Sequence, residues 1–276
     1  MPATLTPLRY PGGKTKNYEY VKSILDMNHL HGTYIEPFAG GAGLAIKLLL
    51  NNDVERIVIN DSDLAIYSFW KCVLDYTDEL CDFIDQVPLT IEQWSIERDI
   101  YLHPEQHSVL ELGKATFFLN RTNVSGVIKG GIIGGLDQSG KYKMDARFNR
   151  ENLIKKIRRI ADQKDRIEVL CYDVFEFMKS KELHHYYKAF INFDPPYVKK
   201  GGQLYMNFFK EEDHIRLRDA IRRSTRKWMV TYDVCDLIED LYSDYRKGYM
   251  DLTYSANKTR KAQELVFFSN NLVLPE

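Results

Sequence analysis

The stretch Ala189-Phe190-Ile191-Asn192-Phe193-Asp194-Pro195-Pro196-Tyr197 decides how the rest of the chain is read. A short run of apolar and aromatic residues ends in a carboxylate. The second proline, which has no N–H and a fixed φ, then stiffens the turn that follows. Four other runs have the same form, 33–35, 56–60, 166–171 and 228–232, and polar residues close them: Glu36, Asp61, Asp173 and Asp233. Helical segments lie between several of these runs, at 43–50 and at 213–223, where Ile215, Leu217, Ala220 and Ile221 are apolar. Alternation of buried strands with helices predicts an α/β sheet covered on both faces. Acids at the carboxyl ends of its strands stand where such sheets bind ligands. Each acid taken singly reads more readily as a helix cap.

The 276 residues are 44% hydrophobic and 13% aromatic, enough to build a core and too apolar for an intrinsically disordered chain. The 38 basic and 39 acidic residues give a net charge of -1. A uniformly basic nucleic-acid binder is thereby excluded, although a near-zero sum can hide a locally basic face. Cys72, Cys81, Cys171 and Cys235 are far apart and form no C-x-x-C pair, which favours free thiols over disulfides or a zinc site. No run of about 18 apolar residues occurs. The opening MPATLTPLRYPGGKTK lacks the apolar segment of a signal peptide, so a cytoplasmic location is expected.

One interval breaks the alternation. The distance from Asp61 to the next strand, at 166, is far more than the roughly 30 residues of a crossover. The surplus, 69–149, is expected to be an inserted module, leaving 1–68 and 150–276 as a discontinuous domain. Its first half reads as helices at 68–84, 90–102 and 109–121; its second half, rich in Gly and Lys, reads as a hairpin or extended loop at 125–143. A second hairpin is expected at the C-terminal end, from 245–253 and 264–269 around a polar basic loop.

Asp194-Pro195-Pro196-Tyr197 resembles the catalytic motif of amino-group methyltransferases, which act on the exocyclic nitrogen of adenine or cytosine. Such a nitrogen is a poor nucleophile because its lone pair is delocalised into the ring. A carboxylate and a backbone carbonyl that accept its N–H bonds draw it towards tetrahedral geometry and aim the lone pair at a methyl donor. An aromatic ring offers a stacking face to a base taken out of the helix. Glu36-Pro37-Phe38-Ala39-Gly40-Gly41-Ala42-Gly43 is similar to the Phe-x-Gly-x-Gly turn that binds S-adenosyl-L-methionine (SAM). It departs from that pattern at Ala42, and it does not fit the G-x-G-x-x-G of nicotinamide enzymes. Asn60-Asp61-Ser62-Asp63 follows about twenty residues on, where an acid holds ribose hydroxyls.

With Arg9-Tyr10-Pro11-Gly12-Gly13-Lys14 added, the chain resembles the Dam-like family of DNA adenine-N6 methyltransferases over most of its length. The motif order is cofactor turn, insert, then D-P-P-Y. Leu119-Asn120-Arg121-Thr122-Asn123, Arg147-Phe148-Asn149 and the terminal Lys258-Thr259-Arg260-Lys261-Ala262-Gln263-Glu264-Leu265 extend the likeness. The resemblance implies a Rossmann-like SAM-dependent methyltransferase fold. Its sheet would be mostly parallel with a C-terminal antiparallel hairpin, and its insert a mainly helical DNA-recognition module bearing a β-hairpin. Position by position, it implies that Asp194, Pro195, Pro196 and Tyr197 are catalytic. Tyr10, Lys14, Glu36, Phe38, Gly40, Asp61, Asp173 and Val174 would bind SAM, which leaves as S-adenosyl-L-homocysteine, with no metal. Arg9, Asn120, Arg121, Asn123, Lys129, Lys141 and Arg147 would contact DNA.

The implied function is site-specific methylation of a flipped-out adenine in double-stranded DNA by a monomer of prokaryotic or phage origin, with a partner restriction endonuclease if it belongs to a restriction–modification pair. Cytosine-N4 or RNA adenine methylation on the same fold is the alternative, with a catalytically silent DNA-binding homologue as a further one. Cytosine-N4 enzymes more often carry Ser before the two prolines.

Overall fold

A computed structural model describes residues 4–9, 14–198, 209–254 and 260–275; the side chains of 251–254 and 260–262 are not described. The chain divides into two compact units, Met1–Gly13 with Leu64–Asp165, and Lys14–Asp63 with Arg166–Glu276. The expected insert, 69–149, lies within the first.

The second unit is built on a seven-stranded sheet: β1 (Thr33–Glu36), β2 (Arg56–Asn60), β3 (Ile167–Leu170), β4 (Phe190–Phe193), β5 (Lys227–Asp233), β6 (Arg246–Tyr254) and β7 (Arg260–Phe268). Their order is β3-β2-β1-β4-β5-β7-β6. The first five run parallel; β7 is antiparallel to β5, and β6 to β7. Every residue of β1 and β4 is buried, as expected of central strands covered on both faces. One face packs Ile35, Ile191, Phe193, Val230 and Tyr232 against Phe177, Leu217, Ile221 and Ile238 of the helices Val174–Lys179, Glu211–Arg223 and Asp236–Leu241. The chain leaves β1 towards β2 and β3 but reaches β4 on the other side. The carboxyl ends of β1 and β4 therefore flank a topological switch point, where open α/β sheets bind their ligands.

The first unit is helical: Leu64–Asp75, Thr77–Gln86, Ile91–Leu102, Val109–Thr122 and Arg150–Ala161. The helix expected at 68–84 is broken at Tyr76, which leaves helical dihedrals with φ -133°. Ser108 and Glu111 form a reciprocal capping box at the start of Val109–Thr122. Phe117 stacks on Phe69, with ring centroids 6.0 Å apart, and meets Phe148 edge-on at 5.7 Å.

The hairpin expected at 125–143 is not formed. A single antiparallel bridge, Asn123 to Ile132, is the only strand-like pairing there, and turns occupy the rest. Gly134 and Gly135, at φ +92° and +78°, turn the chain away from an extended path. The Gln138 amide then does the work of a ladder, donating to the carbonyls of Ile133 and Gly135 and accepting from Met144 N–H. No described helix is long and apolar enough to cross a membrane.

Candidate active site

At the end of β1 the chain turns through Gly40 and Ala42, both left-handed at φ +46° and +43°, into the helix Gly43–Leu50. The sequence anomaly at Ala42 thus falls where glycine is usually found. Asp61, just past β2, holds this turn: its Oδ2 accepts Gly40 N–H at 2.8 Å and its Oδ1 accepts Asp63 N–H at 3.0 Å. Desolvation pushes its carboxyl up to about 7, against the pull of the two N–H donors. Asn60 ties three strand ends together, donating to Pro37 O and Tyr172 O and accepting from Tyr172 N–H. Phe38 meets Phe209 edge-on at 5.8 Å, and Phe209 stacks on Phe175 at 6.1 Å, which makes an aromatic wall beside the turn. Asp173 caps the helix Val174–Lys179 through Phe175 N–H at 2.8 Å, and Val174 is buried.

Across the switch point, Asn192 donates to the Tyr34 hydroxyl at 2.8 Å, which donates in turn to Glu36 at 3.2 Å. All three are buried. Burial pushes the Glu36 carboxyl up to about 8, and the nearby Asp194 charge adds to the effect. Asn192 Oδ1 is buried without a partner among the described residues.

Asp194 follows directly. Its Oδ1 receives Thr231 Oγ1 at 3.0 Å and Lys14 Nζ at 3.2 Å, with the Tyr197 hydroxyl at 3.5 Å. Among the described residues these contacts all fall on one oxygen, Oδ1. Lys14 also donates to the Tyr197 hydroxyl at 2.8 Å and to Glu264, and Tyr197 donates to Glu264. Tyr197 is only 7% exposed, so a base can stack on its ring only after neighbouring groups withdraw. Tyr10 lies outside the described residues.

The expected DNA contacts behave differently from one another. Asn120 and Asn123 are fully buried. The Asn120 amide accepts Arg9 N–H at 2.8 Å and donates to Arg9 O and Gly126 O. The Asn123 amide accepts the Trp94 indole N–H at 2.7 Å and donates to Val127 O and Ile128 O. Both amides tie the helix end to the loop. Arg121 donates to Arg147 O and Pro7 O. Burial, then the charges of Arg9 and Arg147, pull its guanidinium down to about 9. Lys129, Lys141 and Arg147 are exposed, as are Leu136 and Tyr142 of the same loop.

Glu264, Thr231, Asn192 and Phe209 were not among the expected site residues. Alternation along a strand carried a signal for Asn192 alone, since residues two apart share a face with Asp194.

The family model of the D12 class N6 adenine-specific DNA methyltransferases matches residues 10–257. The chain belongs to this family. The methyltransferase is 23% identical over 242 residues to the Type II methyltransferase M.MjaIII of Methanocaldococcus jannaschii, with 80% of each chain covered. It is 22% identical over 246 residues to the Type II methyltransferase M.CviBI of Paramecium bursaria Chlorella virus NC1A, with 86% of each covered. The crystal structure of a SAM-dependent methyltransferase from Agrobacterium tumefaciens aligns with a TM-score of 0.44 and 10% identity, over 93% of this chain and 61% of that one. This is an adenine-specific DNA methyltransferase.

Proposed function

We propose that this methyltransferase moves the methyl group of SAM to N6 of an adenine flipped out of double-stranded DNA, at a specific sequence. The observation that carries this reading is Asp194 at the end of β4, beside the switch point, with its described contacts confined to Oδ1. Asp194 Oδ2 and the carbonyl of Pro195 would accept the two N6 hydrogens, turning the nitrogen lone pair towards the donor. Asp194 need not be a strong base, because the amine proton becomes acidic only as the new bond forms. The contribution of the protein is positioning and electrostatics.

The residues at the first two strand ends suit SAM. Each Asp61 oxygen spends one acceptor site on a backbone N–H and retains another for a ribose hydroxyl. The wall of Phe38, Phe209 and Phe175 suits an adenine ring, and the Gly40 turn allows close approach of backbone. When bound, SAM supplies a methyl group made electrophilic by its sulfonium. Lys14, Glu36 and Val174 would border it, and Asp173 would do so while capping its helix.

Arg9, Arg121 and Arg147 bring their charges close together, which suits DNA phosphate; exposed Lys129 and Lys141 suit it as well. Both relatives named above are Type II methyltransferases, and a partner restriction endonuclease for this chain follows by extension.

D194N is expected to abolish methylation while leaving thermal stability and calorimetric SAM affinity near wild type. Methylation is read by digesting product DNA to nucleosides and measuring N6-methyldeoxyadenosine and N4-methyldeoxycytidine by mass spectrometry. Retained turnover would remove Asp194 from the mechanism, and N4-methyldeoxycytidine as product would replace the substrate.

A further inference from the structure

Glu264 lies on β7 and is 1% exposed. One of its oxygens accepts Lys14 Nζ and the other accepts the Tyr197 hydroxyl. In the sheet it stands directly opposite Asp233 of β5 and Met250 of β6. Like charges directly opposite across two strands are unfavourable. A buried ion pair is seldom more stabilising than apolar residues of the same volume. A carboxylate at this position is therefore a poor stability device, and both of its named partners touch the group around Asp194.

We propose that Glu264 is a positioning residue for methyl transfer: it holds Lys14 and the Tyr197 hydroxyl so that Asp194 keeps an oxygen for the target amine. This rests on the reading of Asp194 given above. Lys14 Nζ lies between two carboxylates, bonded to Glu264 and 3.2 Å from Asp194. With Glu264 neutralised, the ammonium charge falls on Asp194 undivided and weakens it as an acceptor. The Tyr197 hydroxyl loses its charged acceptor at the same time, and with it the restraint on the ring.

The test uses the full chain with SAM and unmethylated genomic DNA. E264Q is expected to lower kcat by about ten- to hundredfold, as the loss of charge-assisted hydrogen bonds would. SAM affinity by calorimetry and the KM for DNA should stay within about threefold of wild type, the scatter of a minor contact. E264D, shorter but still charged, should fall between E264Q and wild type. Wild-type kcat in E264Q, or equal impairment of E264Q and E264D, overturns the proposal. If E264Q does not fold by circular dichroism, E264D decides alone: reduced kcat at unchanged SAM affinity supports the proposal, and wild-type kcat overturns it. D194N in the same assay separates the two failures. Full activity in D194N removes the site on which the proposal rests, whereas inactive D194N beside fully active E264Q removes the role of Glu264 only.

Discussion

Glu36 is a carboxyl held in a buried place by a tyrosine hydroxyl, and the consequence is a pH dependence with a definite sign. Its folded pKa is raised from the ordinary carboxylate range to about 8, so the folded state keeps a proton that the unfolded chain releases near 4.5. The stability it confers is complete below about pH 4.5 and is lost as pH rises through about 8. E36Q removes that dependence. The melting temperature of the free variant should exceed that of wild type by several degrees at pH 8.5 and by much less at pH 5; at roughly 2–4 °C per kcal/mol this is readily measured by thermal denaturation. Equal melting temperatures at both pH values would mean that Glu36 ionises normally. Asp61 makes a different kind of claim, since it braces the Gly40 turn whether or not it meets a ribose. D61N should raise the SAM dissociation constant about ten- to hundredfold, because a charged acceptor is lost. Unchanged calorimetric affinity would leave Asp61 as a turn brace alone.

At the scale of elements, the helices Leu64–Asp75 and Val109–Thr122 are pressed together at Gly113. A Cβ added there would stand 2.3 Å from Cys72 Sγ and 2.6 Å from the Ser68 carbonyl oxygen. Helix propensity favours Ala over Gly by about 1 kcal/mol. Overpacking against a backbone carbonyl costs about 1–3 kcal/mol or more, because the helices themselves must part. G113A is therefore expected to be destabilising on balance, seen as a lower urea midpoint. Adding C72A should restore only part of the loss, since the carbonyl stays in place. Full restoration would put the whole conflict on the sulfur.

At the scale of the whole molecule, a net charge of -1 makes DNA binding a matter of where the cations lie. Lys141 is exposed on the glycine-rich loop, and K141A should weaken binding to all sequences alike and lower the log–log salt slope by about one. Asn123 is buried and bonded on both ends of its amide. N123A should lower the melting temperature, at a cost of about 1–3 kcal/mol for stranding its partners, and leave the ranking of DNA sites unchanged. Melting curves beside methylation of a randomised-site library check both. A changed site ranking in N123A would return that residue to base recognition.

The sequence by itself determined the strands and which carboxylates close them. A strand is a local apolar pattern, and the residue that closes it is its neighbour in the chain, so 189–193 led directly to Asp194 and 56–60 to Asp61. It left a hairpin and an extended loop open at 125–143, where the glycines adopt turns closed by a side-chain amide, a choice that depends on Gln138 reaching Ile133 and Met144. Tertiary structure alone decided the pairing of β1 with β4, Tyr34 beside Phe190, which creates the switch point. It alone brought Lys14, Thr231 and Glu264 to Asp194 and Tyr197, and it alone made Asn120 and Asn123 internal ties. The reason is the range of the forces involved: hydrophobic periodicity is written in neighbouring residues, whereas the partner of a buried polar group is whichever distant donor or acceptor the packed fold leaves within hydrogen-bonding reach.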